Sequence, residues 1–311
     1  MQHQLVETTV EGGHLHGCLD APDNARGLVL IVHGCCEHYG RYDRLATALV
    51  SAGFGVLRFD QRGCGRNHGP RGAMRDFQQM LDDIDSQVGM AIVQCGDAPL
   101  FVVGHSLGGL EAAVFASKFT DVISGYVLSS PFLADPHGHC RAGDGLAAAD
   151  EVEMAQFASS PESAEAAQHP ADPLMSTVVT GGLLHAARDA QGWIADHAEA
   201  VADPVLMLTG ADDGLVPPAA TKPVFDRFAS ADKTYITYPG LHHNLYTDPG
   251  CEQPIKDTVA WIQKRAFRVM RELLKHKAGR VGPLCPAAPV PGDPCAKVAG
   301  AHTKGRWPPA T

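Results

Sequence analysis

Little in this sequence points to membranes, metals or nucleic acids. No apolar run reaches the roughly 18 residues that a helix needs to cross a bilayer. Residues 1–10 hold no basic segment leading into an apolar one, so no secretory signal is expected there. Basic residues are scarce: Lys and Arg number 25 against 35 Asp and Glu, and the formal net charge is −10. Such a chain repels phosphate backbones, so no nucleic-acid partner is expected. No Cys-x-x-Cys pair occurs. The nearest approach to a metal set is His137, His139 and Cys140, in a loop without a second ligand pair, so no metal is expected. The nine cysteines lack a disulfide framework, and the adjacent Cys35 and Cys36 rarely bond to each other or to a common partner. Reduced thiols in a cytoplasmic protein are the expectation.

Short apolar runs are present instead, at residues 28–32, 54–59, 100–103, 122–128 and 205–208. They are apolar on both faces, as central parallel strands are. Stretches of helical period separate them, at 41–52 and 77–93, where Met80, Leu81, Ile84, Val88 and Ile92 share a face. Strand–helix alternation of this kind predicts an α/β fold with a mostly parallel sheet and helices on both sides. The first twenty residues, with Gly12-Gly13, read as an antiparallel hairpin.

The alternation breaks over 131–202, where Ala, Asp, Glu, Ser and His dominate. This segment is expected to be an α-helical cap over the sheet's edge, with helices at 147–157 and 177–187. The core is then 1–130 and 203–276, closed by a helix over 254–275. That helix carries Lys264, Arg265, Arg268, Arg271 and Lys275 opposite an apolar stripe. It is expected to pack on the sheet; contact with an anionic lipid surface is the other reading. Residues 277–311 are crowded with proline and lack periodicity, which predicts a disordered tail.

The chemistry centres on Gly104-His105-Ser106-Leu107-Gly108. A strand precedes it and a helical stretch, 109–118, follows. Gly-x-Ser-x-Gly in that setting lifts the serine onto a strained corner above the sheet. A capping serine in a glycine-rich turn is the plainer alternative. A serine hydroxyl needs a base, and in a strand-turn-helix site of this type the acid and then the histidine come later in the chain. Asp212-Asp213 follows the strand at 205–208, and His242-His243 follows the one at 235–238. The spacing alone leaves open which Asp and which His are used. Two backbone N–H groups should form an oxyanion hole: that of Leu107, and that of Cys35 in the loop His33-Gly34-Cys35-Cys36-Glu37-His38. Cys36 reads as a small core residue. Glu37, His38 and the run Asp60-Gln61-Arg62-Gly63 are expected to hold loops in place.

On these residues the chain resembles the monoacylglycerol lipase and lysophospholipase group of the α/β-hydrolases, with their serine aminopeptidase S33-like relatives. The most discriminating run is His33-Gly34 through Glu37-His38-Tyr39-Gly40-Arg41-Tyr42. It is joined by Asp60-Gln61-Arg62-Gly63-Cys64-Gly65-Arg66, Pro70-Arg71-Gly72, Asp172-Pro173-Leu174 and Asp203-Pro204-Val205. The likeness extends over about residues 5–270. It implies Asp213 and His243 as the triad partners of Ser106, each third after a glycine. It implies ester hydrolysis through an acyl-enzyme, a small-molecule acyl ester or lipid as substrate, and no cofactor. Leu107 stands where the group often has Met, and the two cysteines replace small residues. Rival readings of the same fold are a short-chain carboxylesterase, a thioesterase, a peptidase, or a non-catalytic binding module.

Overall fold

The computed structural model describes residues 2–153 and 172–279, with side chains to Val269. The last helix continues through 277–279, where the tail was expected to begin; the rest of that expected tail, 280–311, and residues 154–157 of an expected helix lie outside the described residues.

The strands of the main sheet are β1 (Gln2–Val10), β2 (Gly13–Ala21), β3 (Leu28–Val32), β4 (Gly55–Phe59), β5 (Leu100–His105), β6 (Gly125–Ser129), β9 (Val205–Gly210) and β10 (Lys233–Tyr238). Their order is β1-β2-β4-β3-β5-β6-β9-β10. The first two form the antiparallel hairpin, and β2 meets β4 antiparallel; every later pair is parallel. The order reverses at β3, which sits between β4 and β5. In an open α/β sheet the crevice beyond the carboxyl ends at such a reversal is where ligands bind.

Period-two alternation explains why the central runs are apolar throughout. Leu30, Val32, Leu57, Val102 and Leu128 face one side of the sheet. They meet α2 (Phe77–Cys95) and α3 (Leu107–Lys118) through Met80, Leu81, Ile84, Leu110 and Val114. Val29, Ile31, Val56, Phe101, Val103, Leu206 and Leu208 face the other side. There they meet Leu45 and Leu49 of α1 (Asp43–Ser51) and Trp261 and Ile262 of α6 (Glu252–Gly279). Each such side chain contributes about 1.5–3 kcal/mol by leaving water. This layering fixes the carboxyl ends of β3, β5, β9 and β10 relative to one another.

The region 131–202 differs from its sequence reading. Residues 151–153 are not helical: β7 (Glu151–Glu153) pairs antiparallel with β8 (Val178–Thr180). The helix expected at 177–187 instead begins after β8 and runs on as α4 (Gly181–His197). The β-branched Val178, Val179 and Thr180 suit the two-stranded ribbon. The Thr180 hydroxyl caps α4 by accepting from the Leu183 amide at 3.4 Å. The run Ala186, Ala187, Ala190, Ile194 carries the buried face past the expected end. α4 packs against α2 and α3 rather than at the sheet's edge. A helix at Pro218–Asp226, α5, was not anticipated; Pro217 precedes it and Pro218 opens it.

Candidate active site

Ser106 follows β5 directly and precedes α3, with φ +52° and ψ −115°. A non-glycine residue at positive φ costs of order 1–3 kcal/mol, so its surroundings must hold it there. They do: its amide donates to the Ser129 carbonyl at 2.9 Å, and its carbonyl accepts from Phe132 at 2.9 Å and Leu110 at 3.1 Å. Gly108 is required for close approach. A Cβ there would stand 2.5 Å from the His33 carbonyl oxygen, so any side chain would push α3 away from β3.

The turn after β9 brings Asp213 inward and the turn after β10 brings in His243; both are buried. His243 Nε2 lies 2.9 Å from Ser106 Oγ, and Nδ1 lies 2.8 Å from Asp213 Oδ2. Asp213 Oδ1 accepts from the amides of Leu215 (3.0 Å) and Val216 (2.8 Å). Burial alone would raise this carboxyl's pKa. The attraction of His243 and these hydrogen bonds outweigh it and bring the pKa below its ordinary value. Asp213 is therefore ionised and accepts a hydrogen bond from Nδ1–H, leaving Nε2 to accept from the serine hydroxyl. The adjacent Asp212 and His242 are exposed, and His242 Nδ1 sits on the Asp212 carbonyl at 3.0 Å. Geometry thus separates the two pairs that spacing could not.

The loop after β3 passes over Ser106. A Cβ on Gly34 would stand 3.2 Å from Ser106 Cβ, so glycine sets how closely the loop can approach. Glu37, buried beneath it, accepts from the Gly34 amide at 2.7 Å, the Tyr42 hydroxyl at 2.6 Å and Arg41 Nε at 2.8 Å. Burial opposes ionisation of this carboxylate, but Arg41, His105 and the Tyr42 hydroxyl hold its pKa far below the usual carboxylate range. His33 Nε2 accepts from the Gln61 amide at 2.8 Å, so its Nδ1–H donates to the Gly34 carbonyl at 2.7 Å. Asp60 takes the Tyr39 amide at 2.8 Å, and Arg62 pairs with Asp83 of α2 at 2.7 Å. Cys36 is fully buried, with φ +61°. Cys35 is half-buried and lines the same cavity as Ser106 and Leu107. Among the described residues no protein acceptor is found for the amide of Cys35 or of Leu107. Leu107 is the first residue of α3, where an amide has no partner within the helix.

That cavity has a volume of about 70 Å³ and almost entirely apolar walls. Sequence reasoning missed most of them: Phe132 after β6, Cys140, Leu215, and Leu183, Leu184 and Ala187 of α4. The available signal was the apolar face of α4, hidden by a misplaced helix start. It also missed His105, whose ring packs 5.0 Å from that of His243 and whose Nε2 lies 3.1 Å from Asn244 Oδ1. His139 and Cys140 both turn their amides onto Asp135 at 2.8 Å, which closes their loop. No group of three His, Cys, Asp or Glu with metal-ligand geometry occurs among the described residues.

Comparison with known proteins identifies the family. A family profile described as serine aminopeptidase, S33, matches residues 23–250. The chain is 30% identical over 254 residues to a monoacylglycerol lipase of Mycolicibacterium smegmatis, covering 78% of this chain and 90% of that one. It is 26% identical over 258 residues to phospholipase YtpA of Bacillus subtilis, covering 78% and 97%. The crystal structure of a Paleococcus ferrophilus monoacylglycerol lipase superposes with a TM-score of 0.72 at 29% identity, covering 81% and 99% of the two chains. With a fold, a site geometry and a family profile in agreement, the chain belongs to the serine aminopeptidase S33 family of α/β-hydrolases, in the group that includes the monoacylglycerol lipases.

Proposed function

We propose that this protein hydrolyses carboxylic esters, with monoacylglycerol or lysophospholipid as the substrate class, through Ser106, His243 and Asp213. The observation that carries the reading is the hydrogen-bonded line from Asp213 Oδ2 through His243 to Ser106 Oγ, 2.8 Å and 2.9 Å, opening onto an apolar cavity. His243 takes the proton from Ser106 as its oxygen attacks the ester carbonyl. Asp213 holds the imidazole and stabilises its cation. The amides of Cys35 and Leu107 receive the oxyanion. The alcohol leaves with the proton from His243, and water, deprotonated by the same nitrogen, releases the acid. Removing one oxyanion donor typically costs on the order of 100- to 1,000-fold in rate.

The cavity supports an acyl chain rather than a peptide side as the group bound beside Ser106. Its volume favours a second reading in which the chain is short: about 70 Å³ is roughly half the ~150 Å³ that accommodates benzene. In both readings the described parts of 131–202, which supply Phe132, Cys140, Leu183, Leu184 and Ala187, shape the acyl pocket. A series of p-nitrophenyl esters and monoacylglycerols of rising chain length separates them. The first reading expects kcat/KM to climb toward long chains; a maximum at two to four carbons would select the second. Cleavage of thioesters or aminoacyl amides in preference to both would overturn each.

The placement of α6 supports packing on the sheet rather than substrate delivery from a lipid surface. Its apolar stripe is spent on the core at Trp261, Ile262 and Ala266. The exposed Phe267 lies near Arg26, which precedes β3 and so marks the end of the sheet opposite Ser106. A lipid surface held there would not face the cavity. No helix among the described residues is long and apolar enough to cross a membrane.

A further inference from the structure

The loop carrying Cys35 is held from two directions. From below it rests on Glu37, His33, Gln61 and Asp60, all buried in the loops that follow β3 and β4. From the other direction it is held by the arm 172–180, which leads through β8 into α4. The Ser176 amide donates to the Cys36 carbonyl at 2.9 Å, and Cys36 Sγ donates to the Val178 carbonyl at 3.3 Å. Two residues further on, His38 Nε2 lies 2.8 Å from Asp172 Oδ2. Two of these attachments land on Cys36, whose left-handed backbone must be held against strain. Cys36 adjoins Cys35, which lines the cavity beside Ser106.

We infer that His38 and Asp172 are a positioning pair, through which the arm sets the placement of the Cys35 amide over Ser106. The inference rests on the ester-hydrolase reading and adds two residues that touch no reacting atom. The geometry fixes the proton. The Gly40 amide donates to His38 Nδ1 at 3.2 Å, so the ring's own proton sits on Nε2 and points at Asp172. The bond therefore forms with a neutral imidazole. The other carboxylate oxygen of Asp172 accepts from the Leu174 amide at 2.9 Å, so one side chain both shapes the arm and ties it to the loop. His38 is almost wholly buried, while the Asp172 side chain is partly exposed.

The consequence falls on the chemical step. An oxyanion donor acts only within about 2.7–3.1 Å of the developing charge. That charge is absent in the bound ester, so a displaced amide lowers kcat and leaves KM nearly alone. A misplacement of about 1 Å can cost on the order of 100-fold.

The test uses the full chain and a soluble ester, p-nitrophenyl butyrate. His38→Ala and Asp172→Ala should each lower kcat by roughly 5- to 50-fold, with KM within about two-fold. The double variant should be no slower than the slower single one, since both remove one bond. His38→Gln, whose side-chain amide can donate from the place of Nε2, should recover most of the rate. His38→Asn, which reaches only the Nδ1 position, should not. Unchanged kcat in both alanine variants, losses that multiply in the double variant, or a loss carried by KM would overturn the inference. Should His38→Ala fail to fold, equal rates for the Gln and Asn variants would overturn it instead. Turnover that persists in Ser106→Ala would sink the functional reading itself, which keeps the two failures apart.

Discussion

The carboxylate of Glu37 takes the amide proton of Gly34 at 2.7 Å, and this bond anchors the loop whose next residue, Cys35, lines the cavity beside Ser106. Glu37 also neutralises Arg41, both side chains being almost wholly buried. Glu37→Gln keeps an acceptor for Gly34 but removes the buried negative charge that Glu37 presents to Arg41. Breaking one side of a buried pair costs about 3 kcal/mol or more. The variant should melt well below wild type and lose roughly 10- to 100-fold in kcat, less than the loss expected for removing a donor outright. Calorimetry and steady-state kinetics on the same preparation check both halves. An unchanged melting temperature would show that the charge at Glu37 is dispensable.

Asp213 makes a prediction in two parts. Asp213→Asn turns the acceptor facing His243 into a group that favours the wrong tautomer, and kcat should fall roughly 10⁴-fold with KM little changed. The second part concerns stability. The folded pKa of Asp213 lies below its ordinary value of 3.8, because His243 and two amides outweigh the effect of burial. Its stabilisation is therefore complete above about pH 4 and is lost as pH falls through the folded value. Acid unfolding followed by circular dichroism should be shallower in Asp213→Asn than in wild type. Parallel curves would contradict the assignment of an ionised Asp213.

How much of this was legible in the sequence follows from what each residue had to satisfy. Ser106, Asp213 and His243 each follow a strand end, and strand ends are marked by apolar runs giving way to glycine. The central strands were legible for a related reason: residues buried on both faces leave runs without polar interruption. The apolar cavity beside Ser106 was not legible. Its walls come from α4 and from Phe132, which are apolar for tertiary reasons. The helix start was misjudged because Thr180 both ends a strand and caps a helix. The ribbon of β7 and β8 was missed because Glu151–Glu153 is polar on its outer face and only Val152 is buried. Glu37 and His38 stood out by pattern, yet their partners Gly34 and Asp172 lie 3 and 134 residues away. Only the folded chain reveals the second distance.

Glu111 of α3 is a buried carboxyl outside the proposed reaction. Its Oε1 has no hydrogen-bond partner among the described residues. Burial, with Asp83 and Cys35 adding to it, pushes its pKa well above the ordinary 4.5. The sign here is opposite to that of Asp213. The unfolded chain ionises this group above pH 4.5 while the folded chain keeps it neutral, so stability is lost as pH rises from there toward the folded value. Glu111→Gln removes that loss. Its advantage over wild type should grow by up to about 1.4 kcal/mol per pH unit above the unfolded value. Thermal melts at pH 5 and pH 8 test it: a gain at pH 8 that is no larger than at pH 5 would be inconsistent with a neutral Glu111.

The central claim is that Ser106 is the nucleophile. The most direct measurement is the kcat of Ser106→Ala on p-nitrophenyl butyrate, paired with fluorophosphonate labelling of both proteins. Wild type should turn over and take one label at Ser106. The variant should take none and lose roughly 10⁴-fold or more in kcat, as hydrolases do when the attacking serine is removed. Hydrolysis by Ser106→Ala at the wild-type rate would contradict the account at its root.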